Sequence, residues 1–550
     1  MPTFLQSFFY ALSAFVFLIG WLLLKRNFRS LKDIRGPSSP SVWLGNLSNI
    51  RYENEVGDNE FPWMKEFGGA WRIKGILGED HLMLADAKAF QYIFQTSGYR
   101  FFKPNDYRTD EKMMLGPGGI GSAHGDVHQR HRRIMNPSFS TSQLKSFLPM
   151  LLQYSAKVRT STLATKLKEG EFPNSAVEAT FNIYPWLARA TLDIISDAGF
   201  ALDVGALDNS HSPLHEAYDG IFLDSTMYPH AWNLVFRTLW RYVPIPILLF
   251  VRYMPSREYT RFRQFNEFMR KYARNVILPN SQAKLDSKDM MSVLIRANEA
   301  ESPRMKLAEF EVLDQISTIL FAGHETTALS LTWWLWELAK YPEYQERIRE
   351  EIVTARAKVS QRGATDFSAS DLEEPLACSL FTVLQEALRL HPIVWHLKRA
   401  ASQDDVIPLA VPVVGKSGKM ITEIPVKKGQ LIDLSVAAYN RNPDVWGPDA
   451  AEWRPERFLG DEQTKMTAVG MHGNIMTFSA GVQSCIGWRF GILTMQAISV
   501  ALLENFEFHL PPNAKDLKIA RKPANAMPPM VEGKPEMGIW MGLTVKSLST

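Results

Sequence analysis

The chain has 550 residues, of which 46% are hydrophobic and 22% charged, and its formal net charge is +3. So small a net charge gives no indication of nucleic-acid binding. Two cysteines are too few for a disulfide framework or a Cys-rich zinc site, which indicates that the catalytic part faces a reducing compartment.

An apolar segment opens the chain. Residues 4–24 carry no charge, and about 20 such residues span a bilayer. Basic residues follow at once at positions 25–32 and none precedes, so the positive-inside rule leaves the N-terminus outside the cytosol and the body inside it. A cleaved signal peptide is the alternative, but such a peptide is basic before its apolar run. We expect a transmembrane anchor over residues 1–25 and a basic, Pro-rich hinge over residues 26–45.

The remainder, residues 46–550, shows no internal repeat or linker composition, and we expect one large domain. Its pattern is mostly helical, with short strand-like runs near residues 70–85 and 406–436. Residues 229–255 are rich in aromatic residues and leucine, but they are interrupted by Pro244 and Pro246 and cannot span a bilayer. The sequence leaves two readings of this segment equally open: buried core, or a surface that dips into the membrane.

Residues 116–121 formally match the dinucleotide fingerprint GxGxxG. That fingerprint requires a preceding buried strand, and residues 110–115 do not read as one, so we interpret the match as a flexible loop. Just after it, His128 and Arg132 are four residues apart and share one helix face. Arg132 is a candidate anion clamp, with His128 as a second contact, whereas for Arg130 and His131 the pattern favours a solvated face.

Residues 311–340 form one long helical pattern that is apolar nearly all round, which predicts a helix through the core. A second membrane span is the competing reading, but His324 and Glu325 in its middle make that costly. Glu325 and Thr326 are candidates for proton handling at a bound ligand. The alternative for Thr326 is a hydroxyl bonded back to a carbonyl of its own helix.

Glu386 and Arg389 lie in another helical pattern, residues 379–390, where the i,i+3 spacing puts them on one face. A buried pair of this kind needs a third partner, and Arg457 offers one.

Residues 478–487 hold Cys485 within an apolar and glycine-rich frame. A thiolate is a strong soft-metal ligand when its pKa is lowered, and the start of a following helix lowers it. Gly481 and Gly487 would let the backbone turn tightly and approach a flat cofactor. The alternative is an ordinary buried cysteine, which is also what the apolar setting of Cys378 suggests.

Together these motifs resemble those of cytochrome P450s, of the membrane-bound eukaryotic type, and their wording is most similar to fungal members. The resemblance covers the whole chain. Three motifs match. The haem-binding pattern F-x-x-G-x-R-x-C-x-G is matched at Phe478, Gly481, Cys485 and Gly487, and the E-x-x-R motif at Glu386 and Arg389. The oxygen-activation motif is matched at Ala322, Gly323, Glu325 and Thr326. Two positions depart: Gln483 stands where an arginine is usual, and His128 where a tryptophan is common. Both departures bear on haem affinity rather than on the chemistry.

The resemblance implies a mainly α cytochrome P450 fold with small β-sheets, as a single large domain behind the N-terminal transmembrane helix. It implies haem b with Cys485 as the axial thiolate, a ligand that favours O–O cleavage. The implied cofactor contacts include Phe478 and Gly487 beside the cysteine, and Arg132, His128 and Arg399 at the propionates. Thr326 and Glu325 would guide protons to dioxygen. Glu386, Arg389 and Arg457 would be structural.

The activity implied is insertion of one atom of dioxygen into a hydrophobic molecule, such as a terpenoid, a steroid or a lipid of fungal secondary metabolism. The pocket would draw on residues 101–127, 319–322 and 393–397, including Trp395. Electrons would come from NADPH through NADPH-cytochrome P450 reductase, with cytochrome b5 as a further partner. Arg130, Arg132 and Arg133 would offer the reductase a basic face. The expected location is the endoplasmic reticulum membrane, single-pass, with a cytosolic catalytic domain.

Three other functions are kept as rivals. The first is a haem-thiolate isomerase or dehydratase that works without a reductase, and the second is a non-enzymatic haem protein. The weakest is a nicotinamide dehydrogenase built on residues 116–121.

Overall fold

The computed structural model describes residues 31–158, 178–208, 211–218, 227–283, 287–373, 379–459, 469–512 and 514–548. The predicted anchor at residues 4–24 and Cys378 lie outside these ranges. Within them, no helix is both long and apolar enough to cross a membrane.

The described part of the chain is mainly helical. Its α-helices of eight or more residues are Glu60–Phe67, Asn105–Leu115, Gly125–Met135, Thr141–Lys157, Tyr184–Phe200, Ala231–Leu239, Arg257–Tyr272, Met290–Glu299, Glu309–Lys340, Pro342–Gln361, Ser379–Leu390 and Trp488–Leu503. Shorter α-helices are Leu47–Arg51, Ala87–Gln91, Pro213–Tyr218, Ile245–Leu248, Leu278–Ala283, Ala369–Glu373, Val436–Tyr439 and Pro443–Trp446.

The strands form four small sheets. They are β1 (Ala70–Lys74), β2 (Asp80–Leu84), β3 (Phe101–Phe102), β4 (Glu178–Asn182), β5 (His396–Ala401), β6 (Asp405–Val414), β7 (Met420–Val426), β8 (Leu431–Ser435), β9 (Phe506–His509), β10 (Ile519–Arg521), β11 (Pro529–Val531) and β12 (Gly542–Ser547). The largest sheet has the order β1-β2-β8-β5-β3, and only its β2–β8 pair is parallel. The others are β4-β12-β9, β6-β7 and β10-β11.

The helix Glu309–Lys340, called the long helix below, runs through the larger of two apolar cores. Its start is fixed by the Glu311 carboxylate, which accepts the backbone N–H of Ala308 at 2.9 Å. It ends before Pro342, whose missing N–H suits the first position of the next helix. The second core packs around the five-stranded sheet. The predicted core helix is therefore confirmed.

The loop at residues 116–121 is fixed rather than flexible, which corrects the sequence-based expectation. A helix, Asn105–Leu115, precedes it in place of the strand that a dinucleotide site requires. The backbone N–H of Gly118 donates to Asp314 at 2.8 Å, and that of Ile120 donates to Gln315 at 3.0 Å. Gly116 has φ +99°, and an added Cβ would lie 2.2 Å from the Asp314 carboxyl. The loop therefore serves as packing against the long helix, not as a nucleotide cradle.

The solvated face expected for Arg130 and His131 is also corrected. His131 is buried and its Nε2 lies 3.0 Å from Glu311 Oε1, while Arg130 bonds the same carboxylate at 2.5 Å. Both side chains tie the helix Gly125–Met135 to the long helix.

Residues 229–255 show both features that the sequence left open. Trp240 and Leu248 are buried, whereas Trp232, Phe250 and Tyr253 have exposed fractions of 83%, 72% and 60%. The segment is thus part core and part exposed apolar surface.

Candidate active site

An apolar cavity of about 300 Å³ lies between the long helix and the loop of residues 478–487, called the cysteine loop below. Cys485 and Thr326 both line it. The other lining side chains are mostly aliphatic or aromatic, and they include Ile120, Ile195, Ile319, Ala322, Ile393, Val394, Leu397, Met476, Phe478, Phe490 and Met495. The structure thus brings the predicted thiol and the predicted hydroxyl to one apolar space, which suits a lipophilic ligand.

The cysteine loop is held by its own backbone. The N–H of Cys485 donates to the Phe478 carbonyl at 2.9 Å, which closes the loop over the residues between them. Gly481 has φ +64°, and a Cβ there would lie 1.7 Å from the Phe94 carbonyl oxygen, so no other residue fits this position. Gly487, by contrast, has φ −92°, which any residue adopts. The tight turn expected of both glycines is present at Gly481 alone.

Cys485 faces the cavity and is accessible from it rather than packed into the core. Burial raises the pKa of its thiol, and this effect outweighs the backbone N–H of Gly487 and the charge of Arg132, which both act to lower it. The lowered thiol pKa that the sequence suggested is therefore not a property of this loop by itself.

The long helix opens toward the cavity at its small residues. Thr326 Oγ1 donates to the Ala322 carbonyl at 2.7 Å, the back-bond that the sequence offered as the alternative. Thr326 lines the cavity as well, so the back-bond is compatible with the predicted role in proton handling, which stays a prediction. At Gly323 a Cβ would lie 2.6 Å from Ile195 Cγ1, so this glycine also permits close packing of the helix Tyr184–Phe200.

Glu325 is not among the residues that line this cavity; it lines a much smaller one beside Met227 and Leu329. Its Oε1 accepts a hydrogen bond from the Tyr184 hydroxyl at 2.7 Å. Burial raises the pKa of Glu325 to about 7, although the Tyr184 hydrogen bond acts in the opposite direction. The sequence did not indicate Tyr184, which comes 141 residues before its partner.

The two candidate contacts on the helix Gly125–Met135 point inward. Arg132 Nη1 donates to the Ser484 carbonyl at 2.9 Å and so tethers the residue before Cys485. His128 Nδ1 lies 2.7 Å from the Tyr99 hydroxyl, a partner that no local pattern revealed. Burial, and then the charge of Arg132, lower the pKa of His128 to about 4, so the ring is neutral at physiological pH.

Arg399 is a buried cation with little local compensation. It lies on β5 and is 3% exposed, and within the described residues the one hydrogen bond of its guanidinium goes to the Lys398 carbonyl at 2.9 Å. Its guanidinium also stands over the Phe94 ring, 5.3 Å from the centroid. Burial lowers the pKa of Arg399 to about 10. A bound anion would relieve this cost.

Glu386, Arg389 and Arg457 meet away from the cavity. Arg389 donates to both carboxylate oxygens of Glu386 at 2.7 Å, and Arg457 Nε donates to Oε1 at 3.1 Å. The Arg389 guanidinium also reaches the carbonyls of Asn440 and Ala450. All three charged side chains are buried and serve as a brace between the helix Ser379–Leu390 and the segment before the cysteine loop.

Two expectations about the pocket and its surroundings are corrected. Trp395 does not line the cavity; its Nε1 donates to the Ala524 carbonyl at 2.8 Å. The basic face proposed for a reductase is also weaker than its sequence suggests. Arg130 is paired with Glu311, Arg133 is paired with Glu301 at 2.9 Å, and Arg132 turns inward.

The family model for cytochrome P450 matches residues 35–532, and the chain belongs to this family. It is a cytochrome P450 monooxygenase. Similar proteins include two cytochrome P450 monooxygenases of Ampulloclitocybe clavipes, claP and claQ. Each is 29% identical to this chain; claP is matched over 95% of this chain and 96% of its own length, and claQ over 91% of each. Cytochrome P450 monooxygenase 91 of Postia placenta is 30% identical over 92% of this chain and 93% of its own length. These relatives are fungal, in agreement with the residues of the sequence motifs, which are most similar to those of fungal members.

The family implies a haem-thiolate cofactor, and the residues present fit it. The fit rests on the donor set: a thiol at Cys485 faces an apolar cavity, and the buried guanidinium of Arg399 lacks a carboxylate partner among the described residues. An iron ion with an apolar macrocycle and anionic side chains needs these features.

Proposed function

We propose that this enzyme inserts one oxygen atom from dioxygen into a hydrophobic small molecule of the terpenoid, steroid or lipid-like kind, as in fungal secondary metabolism. Two electrons and two protons are consumed, and the second oxygen atom leaves as water. The observation that carries the proposal is the apolar cavity that Cys485 and Thr326 share. Haem held by Cys485 would supply the activation of dioxygen.

The residues around that cofactor have separable tasks. Cys485 would hold the iron, while Arg132, Arg399 and His128 would hold the propionates, and Arg132 also braces the cysteine loop through Ser484. The aliphatic lining orients the substrate and excludes water from the reacting carbon.

Proton delivery falls to Thr326 and Glu325. The Thr326 hydroxyl donates its hydrogen bond to the Ala322 carbonyl, which leaves its oxygen lone pairs free to accept a hydrogen bond from a proton donor in the cavity. Glu325 has its pKa near 7 and so exchanges protons readily at neutral pH. Because its carboxyl is bonded to Tyr184, Glu325 has to rotate about its side-chain bonds to serve the cavity.

Electrons come from NADPH through a membrane flavoprotein, NADPH-cytochrome P450 reductase, with cytochrome b5 as a second donor. Arg489 supports a docking face on the cysteine side, because it is exposed and stands over the Trp488 ring, 4.1 Å from the centroid. Arg133 adds a second cation whose side chain is 64% exposed despite its ion pair. Steering by such charges weakens as salt rises.

Membrane attachment is proposed on two grounds. Residues 4–24 have the length and composition of an anchor, followed by basic residues that keep the body cytosolic. The exposed Trp232, Phe250 and Tyr253 give the folded part an apolar surface that suits the interface of the endoplasmic reticulum membrane. The domain division at residues 25 and 45 follows from this attachment.

The test is expression of the full chain with a reductase, feeding of terpenoids, steroids and fatty compounds, and mass spectrometry for a product heavier by one oxygen atom. The reduced, CO-bound spectrum is measured first, since a band typical of imidazole ligation would remove Cys485 as the ligand. Cys485→Ala is the matched control and should lose both the thiolate band and the product.

One observation favours the rival isomerase or dehydratase: Glu325 does not line the cavity. A rearrangement of a peroxide needs no protons delivered to dioxygen and no reductase. Product formation that depends on NADPH and the reductase supports monooxygenation, whereas conversion of a hydroperoxide without them would support the rival.

A further inference from the structure

His324 is a buried histidine that the proposed function does not yet use. It lies on the long helix directly before Glu325 and is 3% exposed. Neither of its ring nitrogens has a hydrogen-bond partner within the described residues. Burial lowers its pKa to about 3, so the ring is neutral at physiological pH, with one nitrogen that donates and one that accepts. Buried polar atoms without partners are costly and call for a reason.

The geometry of the long helix puts Glu325 between His324 and the apolar cavity. Successive residues of an α-helix lie about 100° apart around its axis, so Glu325 stands about 100° from each of its two neighbours. Thr326, which follows it, lines the cavity, whereas His324, which precedes it, does not. The Glu325 carboxyl therefore has the cavity on one side and the His324 imidazole on the other.

The gap between the Glu325 carboxyl and the His324 ring is small. Nδ1 of His324 lies 3.9 Å from Glu325 Oε2, which is too long for a hydrogen bond. The other carboxyl oxygen, Oε1, is the one that accepts from the Tyr184 hydroxyl at 2.7 Å. A displacement of Oε2 by about 1 Å would bring it into hydrogen-bond range of the ring.

Tyr218 lies on the other side of the imidazole, at the end of the helix Pro213–Tyr218. Its ring centroid is 5.1 Å from that of His324, with the two planes at 55°. Tyr218 is 7% exposed, and its hydroxyl also has no hydrogen-bond partner in the described part of the chain. Buried water is what usually satisfies polar atoms of this kind.

The same short helix leads to the surface. His215 is half-buried there, and a charge on it acts to lower the pKa of His324, which shows that the two rings are near each other. Glu216, the next residue, is exposed. The groups between the Glu325 carboxyl and the surface are thus the imidazole of His324 and then Tyr218 and His215.

The other elements packed around this pair of rings bring no further charge to it. The helix Tyr184–Phe200 contributes the Thr191 hydroxyl, which donates to the His324 backbone carbonyl at 3.0 Å and not to the ring. The helix Arg257–Tyr272 contributes Phe265, whose ring centroid is 5.2 Å from that of Tyr218. Among the described residues, His215 is the one charged group that acts on the ionisation of His324.

We propose that His324 passes protons from solvent to Glu325 and so reprotonates this carboxyl after it has given a proton to the apolar cavity. One ring nitrogen takes up a proton from the side of Tyr218 and His215, and the other releases one to Glu325 Oε2. Proton exchange with bound water then restores the starting tautomer. His324 acts through Glu325 and is a positioning residue; its role rests on the proton delivery proposed above.

The test follows the exchange of the Glu325 carboxyl proton by infrared spectroscopy. The haem-loaded full chain is mixed with heavy water slightly below the Glu325 pKa of about 7, where the carboxyl is largely protonated. The protonated carboxyl gives a C=O stretching band that shifts when deuterium replaces the proton. Glu325→Gln removes this band and so distinguishes it from the bands of other buried carboxyls.

His324→Phe keeps an aromatic ring in the same space but removes both nitrogens. We expect its carboxyl exchange to be about a hundredfold slower, which is the lower end of what a positioned acid or base contributes. Tyr184→Phe is the matched control, because it removes the hydrogen bond on the other carboxyl oxygen, and its exchange should be no slower than in the parent. A parent-like rate in His324→Phe, or an equal slowing in Tyr184→Phe, would overturn the proposal.

His324→Gln is the second variant, for the case that the phenylalanine variant does not fold. An amide keeps a hydrogen-bond donor and an acceptor, but it does not gain and lose protons as an imidazole does. Its exchange should therefore also be slow, in a protein whose CO-bound spectrum matches that of the parent. A parent-like exchange rate in this variant would contradict the relay equally.

The exchange measurement needs no substrate, reductase or NADPH, so it is independent of the proposed monooxygenase function. When these are added, the variant with slow exchange should form less product for each NADPH consumed. Unchanged coupling in that variant would show that His324 does not reprotonate Glu325 during turnover. Failure of the proposed function would appear differently, as no product from any compound in the parent while the difference in exchange persists.

Discussion

The buried charges at Glu386 predict a large loss of stability when one of them is removed alone. Glu386 and Arg389 have no exposed surface, and Arg457 is 3% exposed. In Glu386→Gln the shape is kept, but Arg389 loses its carboxylate and retains only neutral carbonyl partners, while Arg457 still has Asp449 at 3.3 Å. Breaking a buried ion pair from one side costs about 3–5 kcal/mol. Folded proteins are commonly stable by only about 5–15 kcal/mol, so the loss should be obvious.

The assay is urea unfolding of the haem-loaded protein, followed by far-ultraviolet circular dichroism and by the haem absorption band, with linear extrapolation to water. Arg347→Met is the matched control, because its ion pair with Glu456, at 3.0 Å, joins side chains that are 57% and 44% exposed. Such surface pairs contribute about 0–1 kcal/mol. If Glu386→Gln loses no more stability than Arg347→Met, the burial argument is wrong and the brace has no special importance.

Three further predictions concern the apolar cavity that Cys485 and Thr326 line and the residues next to it. Thr326→Ala should consume NADPH without matching product, while Thr326→Ser, which keeps the hydroxyl, should stay coupled; full coupling in the alanine variant would favour the rival without a reductase. Gln483→Arg should slow the transfer of haem to an apo-globin acceptor, and an unchanged rate would count against a role of this position in haem retention. Because burial raises the pKa of Glu325 from 4.5 to about 7, the folded protein binds a proton there that the unfolded chain has released. The stability of the parent relative to Glu325→Gln should therefore decline as pH rises from about 4.5 to about 7, as measured by urea unfolding at each pH; a constant difference would show that the carboxyl is hydrated.

Local patterns predicted the bounds of two helices closely. The helix Ser379–Leu390 has the bounds that its apolar periodicity suggested, and the long helix begins at Glu309, two residues before the predicted start. The difference arises because Glu311 looks like a helix position by periodicity but also caps the Ala308 N–H, which marks the true first turn. Apolar periodicity and helix caps both involve residues that lie within a few positions of one another in the sequence, so they can be recognised from the sequence alone.

Strand β5 could not be found in this way. His396–Ala401 has neither a β-branched residue nor a clear alternation. It is a strand because it pairs with β8, where Leu397 lies opposite Leu434, and that pairing depends on the folded chain. The position of Trp395, just before β5, was missed for a similar reason: its Nε1 donates to the Ala524 carbonyl, which comes 129 residues later in the chain.

Within the site, the residue types followed from the motifs, but their directions did not. Thr326 lines the cavity, whereas the adjacent Glu325 turns to Tyr184, because neighbouring residues of a helix lie about 100° apart around its axis. Arg130 and His131 likewise looked solvated until Glu311 of the long helix supplied their partner. Partners that are far apart in sequence leave no local trace, and these are the contacts that set orientation.

The environment of Gln483 explains how haem could be retained without the usual arginine. Gln483 lines the cavity, and a glutamine there offers a hydrogen bond but no charge. Arg399, buried with one backbone partner, and Arg132, bonded to the Ser484 carbonyl, are two guanidinium groups for the two propionates of haem. His128 cannot add a charge, since its pKa of about 4 keeps the ring neutral. The two guanidinium charges therefore balance the two propionate charges. A third guanidinium at position 483 would add one charge-assisted hydrogen bond, worth about 1.5–3 kcal/mol, without replacing an existing one.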